Sequence, residues 1–172
     1  MRKQRKSTRI LLWGLLMLTM LVLTKNILFK RSPRFYKNYF THQYQRKQVV
    51  KEGWKNANWK LFSTIRLYYY GRVSEELKYK NLGGNIIGFI PLGILLPLLF
   101  SRLRKGWKTI LAVFMISLLF ESTQLYTGLG VFDVDDLLLN TIGGLAGYLL
   151  YFIGMNFFFS HNLSENKYSA TG

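Results

Sequence analysis

Glu121 and Gln124 stand three residues apart in the stretch Glu-Ser-Thr-Gln, inside an otherwise apolar run. That spacing puts them on one face of a helix. A carboxylate held among hydrocarbon is costly, so it gathers polar partners or faces a watery cavity. Glu121 could serve as a general base there, or hold a polar or cationic ligand group. A second group lies in Phe-Asp-Val-Asp-Asp-Leu-Leu-Leu-Asn. Asp133 occupies an expected N-cap position, Asp136 falls in the first turn, and Asn140 follows one turn later on the same face. The simplest role for these acids is helix initiation, worth roughly 1 kcal/mol each. One cap needs one acid, however, and this segment supplies three. Asp133, Asp135 and Asp136 could also hold a hard divalent cation through oxygen.

The third group is Asn-Leu-Gly-Gly-Asn-Ile-Ile-Gly-Phe-Ile-Pro-Leu-Gly, where Asn81 and Asn85 are one turn apart. Pro91 and Gly93 are predicted to interrupt the helix there, freeing a carbonyl that a neighbour must satisfy. Gly84 and Gly88, and later Gly143, Gly147 and Gly154, are predicted to let another helix come close, a packing role.

Four apolar stretches must carry these groups. They run from Ile10 to about Thr24 (or on to Phe29), about Leu82 to Phe100, Thr109 to about Tyr126, and Leu137 to Phe159. Each approaches the roughly 20 residues needed to cross a bilayer as a helix. The fold class expected is therefore all-α, a polytopic four-helix membrane bundle. Its parts are a basic N-terminus at 1–9, an anchor helix at 10–29, a basic aromatic loop at 30–80, a three-helix core at 81–159 and a polar tail at 160–172. The N-terminus resembles a signal peptide, but Leu-Thr-Lys-Asn-Ile is a poor cleavage site, so the segment reads as a retained anchor.

Lys and Arg number 24 against 8 Asp and Glu, a formal net charge of +16. These bases border the apolar blocks, which points to membrane lipids or an anionic envelope polymer as partners and away from nucleic acid. Without cysteine, and with only His42 and His161, the chain excludes disulfides, thiolate chemistry and a His-rich metal cage. No phosphate-binding loop or Ser-His-Asp set is present, so neither a cofactor nor a complete catalytic constellation is expected.

Arg102, Arg104, Lys105 and Lys108 lie between the second and third spans, whereas the third-to-fourth loop holds Asp133, Asp135 and Asp136. Basic loops favour the cytoplasm, which puts both termini inside and the 127–136 loop outside. The stretch from Lys25 to Lys80 carries fourteen Lys and Arg, yet must then lie outside. Loops approaching about 60 residues cross largely regardless of charge. An interfacial first segment would instead put that stretch inside. Its Trp54, Trp59, Tyr68, Tyr69 and Tyr70 suit the headgroup zone, either as an interface-lying loop or as a ligand platform. With four spans, Asn85, Glu121, Gln124, Asp133, Asp136 and Asn140 all come to one end and could line one outward-facing acidic pocket.

These motifs, ordered from Asn85 to Gly147, resemble the VanZ-like family of small bacterial membrane proteins. Its pattern is Asn-x-x-x-Phe-x-Pro-x-Gly, then Glu-x-x-Gln, then Asp-x-x-Asp-x-x-x-Asn-x-x-Gly. A fainter likeness covers Asn58 to Ile65, with Leu61 where the family has proline. Gly130 stands where many members have arginine. The resemblance implies a bacterial plasma-membrane protein of the cell envelope, since the family is named for a protein associated with resistance to teicoplanin-type glycopeptide antibiotics. It would act on glycopeptides or lipid-linked wall precursors through the acidic pocket. A membrane-embedded enzyme on a lipid-linked substrate, and a small transporter or partner subunit, stay open as alternatives. A homo-oligomer through the glycine faces is a further expectation.

Overall fold

The computed structural model describes residues 6–168, with side chains as far as Phe157; residues 1–5 of the expected basic N-terminus and 169–172 of the expected polar tail lie outside the described residues. The chain begins with α1 (Lys6–Leu28), then makes three short helices, α2 (Pro33–Thr41), α3 (Gln43–Asn56) and α4 (Ser63–Tyr70). The next long helix is composite. It joins α5 (Glu75–Lys78), one π turn at Tyr79–Gly83 and α6 (Gly84–Leu99). After a turn come α7 (Gly106–Thr127) and α8 (Val134–Tyr168). Among the described residues, four helices are long and apolar enough to cross a membrane: Lys6–Leu28, Glu75–Leu99, Gly106–Thr127 and Val134–Phe157. The protein is an all-α, multi-pass membrane bundle.

Local chemistry sets the boundaries. The Ser32 hydroxyl accepts from the Phe35 N–H with Pro33 in the first turn, a favoured way to start a helix. Gly128 ends α7 at φ +68°, a left-handed cap that suits glycine, and donates its N–H to the Gln124 carbonyl at 2.7 Å. Lipid removes the hydrophobic drive between helices, leaving close packing and polar contacts to join them. The seam between α6 and α8 is the tightest. A Cβ on Gly143 would stand 2.1 Å from the Ile86 carbonyl oxygen, and one on Gly147 2.0 Å from that of Ile90. Phe89, Leu92 and Val113 are buried where α1, α6 and α7 meet, while Leu21, Ile87, Leu119 and Ile153 stay exposed, as lipid-facing residues should.

Several expectations need correcting. Pro91 and Gly93 do not interrupt the second span, since α6 runs through both Pro91 and Pro97. A proline withdraws only its own N–H, and the remaining ladder holds the helix. The irregularity falls earlier, at the π turn. Gly93 instead brings backbones together, for its Cβ would stand 2.1 Å from the Gly144 carbonyl oxygen. Gly88 meets Leu23 of α1 at 3.3 Å, but Gly84 and Gly154 have nothing within 4 Å. At Gly84, α1 does not close over α6. The long basic segment 30–80 after the first span, expected as a loop, is mostly short helices and covers the end of the bundle where α7 ends and α8 begins. The Tyr39 hydroxyl donates to the Thr127 carbonyl at 2.8 Å, and Trp59 stacks on Phe132 with ring centres 4.5 Å apart. Within the expected tail, α8 continues to Tyr168.

Candidate functional site

The site is built where α4 meets the start of α8. Asn58 bridges to the incoming strand-like backbone, donating its N–H to the Phe132 carbonyl at 2.8 Å and accepting from Val134 N–H at 3.1 Å. The chain then turns through Phe62, at φ +64°, a conformation that L side chains rarely adopt. That turn aims three backbone N–H groups at one carboxylate. Asp135 accepts from Phe62 at 2.5 Å, Thr64 at 2.8 Å and Ile65 at 3.2 Å. It is fully buried and supplies the anion that the open end of α4 requires. Asp133 caps its own helix through the Asp135 N–H at 2.8 Å, and also takes the Asn58 amide at 2.7 Å and the Thr64 hydroxyl at 2.5 Å. These two acids knit the 58–65 segment to α8.

Asp136 points elsewhere. It accepts from the Asn85 amide of α6 at 2.5 Å, and it lines a cavity of about 260 Å³ together with Asp133, Thr64, Tyr68, Gln124 and Lys30. Asn81, Arg31 and the backbone around Gly130 complete the wall. The cavity wall therefore holds the Asp133 and Asp136 carboxylates, which accept from neighbouring amide, hydroxyl and backbone groups, together with Lys30 and Arg31, the latter lying over the Phe35 ring at 4.5 Å. Gln124 donates its amide N–H to the Ile27 carbonyl at 3.0 Å, while its oxygen is buried without a protein partner. A buried acceptor of this kind calls for a donor from a ligand or from water. Burial, then the charges of Asp136 and Asp133, push the Tyr68 phenol above its usual value, so it stays a neutral hydrogen-bond donor. The arrangement suits recognition of a polar, hydrogen-bonding group.

The structure gathers most of the residues singled out by type and spacing, in different roles. Gln124, Asp133 and Asp136 line the cavity. Asn85 fixes Asp136 from the side. Glu121 is buried and accepts the Asp133 backbone N–H at 2.9 Å, supporting the turn rather than lining the cavity. Asn140 sits one turn deeper, donating to the Ser117 hydroxyl at 2.8 Å between α8 and α7, with its own oxygen unpartnered. It is not part of the cavity wall. Pro91, Gly88, Gly143 and Gly147 belong to the helix seams below. Sequence reasoning passed over Lys30 and Arg31 as site residues, and Thr64 and Tyr68 as cavity walls. The only signal for Thr64 was the faint likeness over 58–65. Gly130 has a local reason: its Cβ would stand 2.3 Å from the Gln124 amide nitrogen.

A profile of the VanZ/LLP1 family matches residues 12–158, nearly the whole helical bundle. Protein VanZ of Enterococcus faecium is 36% identical over 74 residues, covering 42% of this chain and 45% of that protein. The match thus spans less than half of the relative's length. No solved structure matches the chain. On the family profile, which takes in every site residue described above, the chain belongs to the VanZ-like family.

Proposed function

We propose that this protein works in the bacterial plasma membrane with its termini in the cytoplasm and its polar cavity facing outward. There it alters susceptibility to teicoplanin-type glycopeptides by binding a polar part of the antibiotic or of a lipid-linked wall precursor. The observation that carries the reading is the cavity itself: Asp136 and Gln124, whose side-chain oxygen has no protein partner, line it beside Lys30 at the end of a membrane bundle. Groups this costly at the membrane surface persist where a ligand completes them. The orientation draws on the acid-free basic turn at 101–108 opposite the site.

Susceptibility testing of a deletion strain carrying site variants checks this. Asp136→Ala, at an unchanged membrane level, loses the protein's effect on glycopeptide susceptibility. A variant that behaves as the parent refutes the binding role. For orientation, cysteines introduced singly at Tyr69 and Arg102 into this cysteine-free chain label differently. An impermeant maleimide reaches only the Tyr69→Cys protein from outside the cell.

A further inference from the structure

A second, larger space of about 870 Å³ opens between α1 and the π turn–α6 segment, and it shares Lys30 and Asn81 with the polar cavity. The two are therefore neighbours, with Lys30 and Asn81 at the wall they share. Chemistry changes along its length. The deep end is apolar, walled by Val22, Leu23, Ile87 and Phe89. Its mouth carries Lys25, Lys30 and Lys80, and no Asp or Glu lines it. From Phe89 to Lys80 is nine residues of helix, roughly 13 Å, which spans hydrocarbon to headgroup depth. Gly84 keeps the groove open, since no atom approaches within 4 Å of where its Cβ would be.

We infer that an anionic phospholipid of the surrounding leaflet, of the phosphatidylglycerol class, occupies this groove, with a chain between α1 and α6, its phosphate on Lys25, Lys30 and Lys80, and its glycerol hydroxyls toward the Asp136 end of the cavity. The order of groups along the groove matches the order along such a lipid. Lysines near a membrane surface attract anionic headgroups, and carboxylates accept from hydroxyls. This deepens the reading of the cavity as a binding site and rests on it only for what the bound headgroup does.

The test uses the purified full chain in nanodiscs of phosphatidylcholine with or without phosphatidylglycerol, reading retained lipid by native mass spectrometry. Phosphatidylglycerol is retained over phosphatidylcholine by about tenfold, as expected for a few lysine–anion contacts. Lys25→Ala with Lys80→Ala removes that preference, and Lys25→Arg with Lys80→Arg keeps it. Gly84→Leu, at a position where a Cβ meets no atom within 4 Å, puts a side chain into the groove and lowers retention of both lipids. Equal retention of the two lipids by the parent protein overturns the inference. So does displacement of phosphatidylglycerol by an equimolar polyprenyl monophosphate, which would assign the groove to a lipid-linked carrier. Retention by Asp136→Ala equal to the parent's, with susceptibility lost, leaves the groove standing and separates it from the cavity's role. If the lysine variants fail to fold, Gly84→Leu decides alone.

Discussion

Two seams of α6 differ in what their glycines do. Against α8, Gly143 and Gly147 bring backbone onto backbone, and any side chain there strikes a carbonyl at about 2 Å. Against α1, Gly84 faces open space beside a groove rimmed with lysine. The same residue type therefore closes one seam and holds the other apart. In a bilayer, where association depends on close contact rather than water release, the closed seam holds the fold and the open one is free to take a ligand.

The sharpest way to break this contrast is Gly147→Leu. The helices must separate to accept it, costing at least about 3 kcal/mol, so little folded protein is recovered by size exclusion in detergent. Next comes the split between neighbouring acids. Asp135→Ala strands the N–H groups of Phe62, Thr64 and Ile65, a loss of about 3 kcal/mol seen as a lower melting temperature by tryptophan fluorescence. Asp136→Asn, which keeps a hydrogen-bonding side chain beside Asn85, shifts melting by no more than about 1 kcal/mol. The smallest effect belongs to Gly84→Ala. Its helical backbone (φ −60°, ψ −42°) already suits alanine, so stability rises by up to about 1 kcal/mol. Marked destabilisation there would mean that α1 covers Gly84 and the groove is closed.

Much of the architecture was legible in the chain. Hydropathy alone marks the four spans, because a bilayer admits few alternatives to an apolar helix. The gathering of Asn85, Gln124, Asp133 and Asp136 at one end follows once those spans alternate in direction. Local spacing was less informative about roles. Asp136 and Asn140 share a helix face, yet one turn along that face passes from the cavity into the α7 contact at Ser117. Periodicity gives a direction but no depth. Pro91 misled for a related reason, since a proline's effect depends on what surrounds the freed carbonyl.

The partnership of 58–65 with α8 belongs to the tertiary structure. Asn58 and Asp133 are 75 residues apart in the chain, and Thr64 and Asp135 are 71 apart. No local pattern encodes such a pairing, because it depends on where a run of short amphipathic helices folds back. The sequence by itself determined a membrane bundle with acids at one end, since the expense of charge in hydrocarbon leaves few placements. Only the folded chain decided which acid closes a helix end, which faces the cavity, and that lysines from α1 and the π turn would meet beside it. Those outcomes depend on distances between segments, which spacing along one segment does not contain.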